Sequence, residues 1–339
     1  MPKDFTYQKV TNLDEWKQNS TIGIEERVYT DEGYSIDGRW IFLTPTEQQL
    51  WDKIHQDTVS LGDQTFADPF TGIQTSCGKV FVIEKWVDAG EFITFTDHKG
   101  DERNIEKNIL KPYLLPANRG GTSFRTFETK ENDGWVIFPY EDGDIIPEDE
   151  LERDYPNTFE YLSDNRVLLD KVDRSHGSNE WYGFGRTQSL TRIENQPKII
   201  CGVLFKEERY IYDNTNMYFQ TGDTAGYVGI RMINQSYNIF YVLGLLNHPI
   251  LEWVSSKIAS SFVGNYIAHG QTVLNKLPIK KIDFEKPEMK KIHDDIVTIV
   301  TKLIELHREL KEEVTDREID RIKNEIETER EELENKIYS

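Results

Sequence analysis

The sequence predicts an α/β (mixed α+β) domain followed by a C-terminal helical hairpin or coiled coil. Strand-like runs and helical stretches alternate irregularly along most of the chain, which favours a mixed architecture over repeated βαβ units. The end of the chain instead carries a heptad-like repeat of apolar residues. We therefore divide the chain into a connector (1–37), the main domain (38–285) and a helical segment (286–339).

The elements of the main domain follow from hydrophobic periodicity. A helix is expected over 46–61, after the start signal Thr44-Pro45-Thr46, whereas 1–35 show no clear period. A turn at 76–78 leads into a predicted strand at 80–83. Further strands are predicted at 92–96, 135–139, 198–205, 209–212 and 227–233, and further helices at 158–173 and 240–261.

The C-terminal segment has apolar residues at alternating spacings of four and three, the a/d rhythm of a coiled coil. These residues are Ile292, Ile296, Ile299, Leu303, Leu306 and Leu310. A second helix is expected from Thr315, because Thr315 and Glu318 have the spacing of a capping box. The segment is therefore predicted to fold as a hairpin or a long bent helix that packs on itself or on a partner. The alternative is a helix pair that covers the core of its own domain.

The charge of the chain is strongly negative but unevenly distributed. The formal net charge is −20, yet 141–160 hold nine acidic residues against one basic residue, while 181–290 hold twelve basic and nine acidic residues. The acidic run has no convincing metal-ligand spacing and is interpreted as a solvated surface. A salt-rich cytoplasm is a second explanation for the acidity.

Neither a membrane segment nor a secretion signal is visible. The longest apolar run, 240–246, is much shorter than a membrane span, and 1–10 lack the apolar core of a signal peptide. Cys77 and Cys201 lie far apart and form no metal-binding motif, so two small buried thiols are expected. We therefore expect a cytoplasmic protein that does not contact membranes.

No catalytic constellation is visible either. A base-modifying methyltransferase needs Asn, Asp or Ser before Pro-Pro and an aromatic residue, whereas Asp68-Pro69-Phe70 lacks the second proline and is interpreted as a turn. Neither Gly183-Phe184-Gly185 nor 226–229 completes a dinucleotide-binding fingerprint. His176 and His269 lie in expected loops without an adjacent nucleophile. The chain by itself is therefore expected to be no enzyme and to hold no cofactor and no metal.

Seven short strings nevertheless occur in a recognisable order. They are TGIQTSCGKVFVI (71–83), IEKNILKPYL (105–114), WVIFPY (135–140), the helix at 156–169, WYGFGR with QPKII (181–186, 196–200), YVLGLLN (241–247) and LPI (277–279). In this order they resemble the TaqI-like C-terminal specificity domain of type IIG restriction-modification enzymes and adenine-specific DNA methyltransferases. The sequence departs from that pattern at His248, where serine is usual, and at Lys280, where proline is usual.

The resemblance implies a target-recognition domain that lies on double-stranded DNA and reads bases, with terminal helices that act as spacers or docking elements. It also implies a partner, a DNA adenine methyltransferase or restriction subunit that carries an Asn-Pro-Pro-Tyr-type motif. The chain would be a naturally standalone subunit or an excised part of a longer enzyme. Specificity subunits of type I systems usually carry two such modules, and one is visible here.

Reading bases requires Arg or Lys for guanine, Asn or Gln for adenine, and cations for phosphates. Loops at 74–79, 118–125 and 174–192 offer these groups among aromatic residues. The predicted base or adjacent phosphate contacts are Arg186, Gln188 and Arg192, and the predicted flanking contacts are Lys79, Arg119 and Arg125. The other predicted DNA-binding residues are Gln74, Thr75, Arg174, Tyr182, Lys198 and Arg231. For each residue, the alternative is a surface cation or a structural hydrogen bond.

Two rival functions remain open at this point. An acidic DNA mimic that inhibits a restriction enzyme would explain the net charge directly, although the near-neutral composition of 181–290 argues against it. An unrecognised nuclease would require a carboxylate cluster that the sequence does not reveal.

Overall fold

Helices and strands alternate irregularly along the chain, which confirms the predicted mixed α/β class. The structure, a computed structural model, describes residues 4–10, 12–19, 24–30, 35–36, 39–41, 43–116, 127, 132–194, 196–205, 210–221, 226–262, 266–312 and 315–338. Within these residues, no helix is both long enough and apolar enough to cross a membrane.

The helices of the described residues range from single turns to two long C-terminal helices. They are α1 (Leu13–Gln18), α2 (Pro45–His55), α3 (Gly78–Phe81), α4 (Glu148–Asp154), α5 (Pro156–Asp164), α6 (Arg166–Leu169), α7 (Ile239–Leu246), α8 (Pro249–Ile258), α9 (Gln271–Leu274), α10 (Pro287–Glu309) and α11 (Asp316–Tyr338), with a 3₁₀ turn at Lys107–Ile109.

The strands are mostly short. They are β1 (Asp4–Val10), β2 (Ile24–Thr30), β3 (Ser35–Ile36), β4 (Arg39–Trp40), β5 (Thr58–Ser60), β6 (Ala67–Thr71), β7 (Val82–Ile83), β8 (Val87–Asp88), β9 (Phe92–Thr96), β10 (Glu102–Glu106), β11 (Leu110–Leu114), β12 (Gly134–Ile137), β13 (Tyr140–Glu141), β14 (Asp144–Ile145), β15 (Lys198–Gly202), β16 (Leu204–Phe205), β17 (Tyr210–Asp213), β18 (Tyr218–Phe219), β19 (Tyr227–Met232), β20 (Ser261–Phe262), β21 (Tyr266–Ala268) and β22 (Pro278–Lys280).

Two four-stranded sheets organise the main domain. One has the order β18-β11-β12-β7 and the other β17-β15-β19-β6, and every pairing is antiparallel except β11 with β18. Three-stranded sheets, β10-β9-β8 and β16-β21-β20, and two-stranded pairs complete the strand pairing of the described residues. Buried apolar residues form two clusters, one around β11 and β12, and the other around β15, β19, α7, α8 and the terminal helices.

The terminal helices form a hairpin that packs on the domain. The amide and hydroxyl of Thr315 donate to the Glu318 carboxylate, and the Glu318 amide donates to Thr315 Oγ1, so the predicted capping box is present. Helix α10 packs on both α7 and α11, and a Cβ at Gly244 of α7 would lie 3.0 Å from Ile296 Cγ2. Of the two arrangements left open by the sequence, the structure has the one in which the helix pair covers the core of its own domain.

Several predicted elements are wrong in detail. The predicted helix at 46–61 ends at His55, and the next residues enter β5, which pairs with β22. The predicted helix at 240–261 breaks into α7 and α8, because Pro249 disfavours a helical conformation at His248, whose Nδ1 instead accepts the Ile250 amide as an N-cap. The predicted strand at 80–83 is instead the short helix α3 followed by a two-residue strand.

Two further segments differ from the sequence prediction. Asp68-Pro69-Phe70 is part of the edge strand β6, where a proline is tolerated because one side of the strand needs no hydrogen bond, and is therefore not a turn. The predicted connector contains an antiparallel pair, β1 with β2, around the short helix α1. Hydrophobic periodicity missed this pair because β1 mixes aromatic and charged residues, DFTYQKV.

We expect the terminal hairpin to contribute to the stability of the whole domain. Leu303 of α10 is fully buried in the cluster that includes β15 and β19, so Leu303→Ala should lower the free energy of unfolding by about 2–5 kcal/mol. Leu13→Ala is the matched control, since Leu13 is 54% exposed and should change stability by less than about 0.5 kcal/mol. Urea denaturation, monitored by circular dichroism, measures the free energy of unfolding of both variants. If Leu303→Ala and Leu13→Ala changed the free energy of unfolding by the same small amount, the hairpin would not be part of the domain core.

Candidate nucleic-acid interface

Three exposed cations from separate parts of the chain line one surface hollow. This polar hollow has a volume of about 370 Å³, and Lys79, Lys171 and Arg186 lie in its wall together with the amide side chain of Gln74. Its remaining lining residues are Ser76, Cys77, Leu168, Val172 and Asp173. The structure therefore brings together three of the sequence-predicted residues, Gln74, Lys79 and Arg186.

The segment that carries Gln74 is fixed by strand-like pairing to β18. The Ile73 amide donates to Phe219 O at 3.0 Å, and the Thr221 amide donates to Ile73 O at 2.9 Å. A Cβ at Gly72 would lie 2.1 Å from Phe219 O, so only glycine permits this approach. The backbone beneath Gln74 therefore has one defined position.

A second close approach joins this segment to the loop that carries Arg186. A Cβ at Gly185 would lie 2.1 Å from Ser76 Oγ, and the Gly185 amide donates to Thr75 O at 3.3 Å. Ser76 itself has a left-handed backbone, with φ of 59°, which turns the chain into α3. Thr75 is buried, so it contributes its backbone to this arrangement and does not present its side chain to solvent.

Residues 186–192 run antiparallel to residues 68–74. The Arg186 amide donates to Gln74 O at 3.3 Å, and Gln188 Nε2 donates to Gly72 O at 3.0 Å and to Thr71 Oγ1 at 3.3 Å. Further along, Arg192 Nη1 lies 3.8 Å from Asp68 Oδ1. The three residues that sequence reasoning favoured most, Arg186, Gln188 and Arg192, therefore all lie against residues 68–74, with a turn at Ser189 between the last two.

The charge of the polar hollow is mainly positive, with one carboxylate among the cations. The backbone amide and the hydroxyl of Ser175 hydrogen-bond to Asp173 and hold the pKa of its carboxyl below the usual range. Burial raises the pKa of the Cys77 thiol, which therefore stays protonated near neutral pH. The hollow thus offers cationic and amide donors suited to binding an anion, and its thiol is not an activated nucleophile.

Arg174 stabilises the loop formed by residues 169–183 through hydrogen bonds to its backbone. Its guanidinium donates to the carbonyl oxygens of Leu169, Val172, Trp181 and Gly183. Burial lowers the pKa of Arg174, although the acidic groups of Tyr140, Asp170 and Cys77 oppose this effect. Its donors order residues 169–183 in this structure, so Arg174 is not included in the surface proposed below.

Tyr182 and Lys198 lie in the interior of the domain. The Tyr182 hydroxyl donates to Ile146 O at 2.7 Å, and the ring is fully buried. Lys198 is 1% exposed and forms an ion pair with Asp213, and burial lowers its pKa. Neither side chain reaches the surface in this structure, so neither could contact a DNA duplex, and we do not include them in the surface proposed below.

The remaining predicted residues are divided between a second cluster and the undescribed part of the chain. Arg231 Nε lies 2.8 Å from Asp68 Oδ2, on the same carboxylate that Arg192 approaches, and both arginines remain partly exposed. This acid between two arginines lies at the far end of the 186–192 segment from the polar hollow. Arg119 and Arg125 lie outside the described residues.

Sequence reasoning missed Lys171, an exposed cation in the wall of the polar hollow. It follows α6 in the region predicted as one continuous helix, 158–173. A lysine at the end of a helix is usually a solvated side chain, and the fold gives this one cationic neighbours by bringing Lys79 and Arg186 to the same hollow. No local signal in the sequence could have identified it.

Among the described residues, no group of three or more histidine, cysteine, aspartate or glutamate side chains is placed to hold a metal ion.

The chain is similar to part of a known restriction enzyme. Over 306 residues it is 31% identical to the type II restriction enzyme and methyltransferase RM.Eco57I of Escherichia coli. The alignment covers 86% of this chain, and the chain spans about 30% of the length of that relative. No protein-family model matches the sequence.

The buried position of Lys198 leads to a clear prediction. Lys198→Met would leave the Asp213 carboxylate buried without its counter-charge, which should lower the free energy of unfolding by about 3–5 kcal/mol. Lys79→Met, the same chemical change at an exposed position, should leave stability within about 0.5 kcal/mol of the wild type. Chemical denaturation of both variants measures the difference. A stable Lys198→Met variant would contradict the structural role of Lys198.

Proposed function

We propose that the chain recognises a short DNA sequence within a restriction and methylation system, and that a catalytic partner or a further part of the same polypeptide performs the chemistry. The observation that carries this proposal is the convergence of Gln74, Lys79, Lys171 and Arg186 on one polar hollow. The similarity to a type II restriction enzyme and methyltransferase supports the same biological context.

Arg186 and Gln74 have the chemistry and the spacing to read neighbouring bases. An arginine can donate two hydrogen bonds to O6 and N7 of guanine, and a glutamine amide can pair with N6 and N7 of adenine. Their backbones form a bridge, which places the two Cα atoms about 5 Å apart. Successive base pairs are separated by about 3.4 Å, so both side chains can reach the same or adjacent base pairs. Gln188 anchors this segment to Gly72 and so keeps Arg186 in register.

Lys79 and Lys171 would bind the phosphates beside those bases. Both ammonium groups are exposed, and neutralised phosphates release counterions to solution. The net charge of −20 opposes the approach of DNA, so the isolated chain should bind weakly and lose affinity steeply as salt increases. Sequence specificity should be strongest in the complex of the chain with its catalytic partner. This partner is expected to carry an Asn-Pro-Pro-Tyr-type motif.

A second candidate function follows from the name of the relative, which assigns both restriction and methyl transfer to one protein. On this alternative the chain itself would catalyse one of the two reactions. Incubation of the purified chain with duplex DNA, a divalent cation and a methyl donor distinguishes the two proposals. Recognition alone predicts neither cleavage nor methyl incorporation, whereas either product would support the catalytic alternative.

Replacement of Arg186 tests the proposed base contact. On a duplex that the wild type prefers, Arg186→Ala should lose about 1–3 kcal/mol of discrimination at one base pair and leave the other positions unchanged. Arg153→Ala is the matched control, because Arg153 is an exposed arginine paired with Asp154 in the acidic helix α4. Competition binding against single-base variants measures the discrimination. Unchanged preference in Arg186→Ala would exclude this residue from base reading.

Replacement of Lys79 tests the proposed phosphate contact. Lys79→Met should weaken binding to all duplexes about equally, because a phosphate contact carries no sequence information. The slope of log affinity against log salt concentration should fall in magnitude by about 0.9, as expected for one lost contact. Titrations at several salt concentrations measure the slope. A sequence-dependent loss, or an unchanged slope, would contradict the assignment.

A further inference from the structure

An open trough lies on the other side of Lys79 from the polar hollow. It has a volume of about 730 Å³ and is formed between the end of α3 with β7 and the strands β8 and β9. Its walls include Lys79, Lys85, Trp86, Thr94, Thr96 and His98. Because Lys79 lines both depressions, the trough continues the surface on which the proposed function places DNA.

The trough contains the aromatic ring of Trp86, which is supported by a second tryptophan. Trp86 is half-buried and packs edge to face on Trp135, with ring centroids 6.3 Å apart and an interplanar angle of 83°. The neighbouring Val87 is 68% exposed, so an apolar surface extends beside the ring. A fixed tryptophan with an apolar neighbour on an open surface is suited to stacking on a flat ligand.

The charges around the ring suit a ligand that carries phosphate. Lys79 and Lys85 are exposed cations in the wall, which also contains the exposed imidazole of His98 and the carboxylates of Glu84 and Glu102. A third carboxylate, Asp97, is buried and already accepts hydrogen bonds from Arg103 and from the backbone amides of Lys99 and Asp101. The wall therefore offers an aromatic face, a cation at Lys85 and a second cation, Lys79, on the side shared with the polar hollow.

We infer that this trough binds a single unstacked nucleotide of the DNA, with its base against Trp86 and its phosphate near Lys79 and Lys85. In an intact duplex both faces of each base are covered by neighbouring bases, so a tryptophan face can stack only on a base that has left the helix. The volume lies within the range of about 300–1000 Å³ typical of pockets for small ligands. The inference rests on the proposed function and adds a second subsite to it.

The experiment uses the full chain and two DNA probes at low salt. A ten-nucleotide oligothymidylate, labelled for fluorescence anisotropy, measures binding of unstacked bases. Duplexes with 2-aminopurine at successive positions report unstacking, because a 2-aminopurine that stays in the helix emits more strongly when a neighbouring base leaves the stack, whereas a 2-aminopurine stacked on Trp86 itself would stay quenched. The variants are Trp86→Leu and Trp86→Tyr in the trough, Arg186→Ala in the polar hollow, and Trp16→Leu as a matched control, since Trp16 is an exposed tryptophan of α1.

Wild-type protein should bind the oligothymidylate and raise the 2-aminopurine emission at one position of the duplex. Trp86→Leu should weaken oligothymidylate binding at least about fivefold, since stacking on one base is lost, and should abolish the emission change. Trp86→Tyr, which keeps a stacking ring, and Trp16→Leu should retain both signals. Lys85 is exposed, so Lys85→Ala should have little effect on folding. It should lower the magnitude of the slope of log affinity for oligothymidylate against log salt concentration by about 0.7.

The possible failures are distinguishable. If Arg186→Ala weakens duplex binding while Trp86→Leu and Lys85→Ala change neither signal, the trough assignment is overturned and the recognition function stands. If the wild type binds neither probe, both proposals are overturned. If Trp86→Leu fails to fold, an unchanged salt slope in folded Lys85→Ala still overturns the trough assignment.

Discussion

The close packing of residues 71–76 between β18 and the 185–188 loop is the constraint on which the candidate interface depends. On one side Gly72 approaches Phe219 O, and on the other Gly185 approaches Ser76, in both cases at a distance that leaves no room for a Cβ. These two approaches place Gln74 beside Arg186, although the two residues are far apart in sequence. A larger side chain at either glycine would separate the two segments that carry the proposed base-reading residues.

Burial separates the basic residues of this region into two classes. Arg174 and Lys198 direct their charges at backbone carbonyls and at a buried carboxylate, and so stabilise the fold. Lys79, Lys171 and Arg186 remain exposed around the polar hollow. In a chain with a net charge of −20, this local group makes the polar hollow positively charged, as the proposed contact with DNA requires.

Sequence reasoning succeeded where the pattern is long or has a specific local cause. The terminal hairpin follows from an apolar repeat that extends from Ile292 to Leu310, and the start of α11 follows from the capping box at Thr315. It failed where short apolar runs are ambiguous, because 80–83 suits a helical turn as well as a strand. Tertiary pairing was also invisible: the counter-charge of Lys198 comes from β17, and the cationic neighbours of Lys171 come from α3 and from the loop that carries Arg186.

The proposed division of labour agrees with the length of the match, since the chain spans about 30% of a relative that is named for both restriction and methyl transfer. The most direct test is a selection from a pool of random duplexes by the purified wild-type chain at low salt, followed by sequencing of the bound DNA. A recognition module predicts enrichment of one short motif with defined spacing. Salt-sensitive binding without any enriched motif would contradict the central claim, because phosphate contacts alone would then account for the interaction.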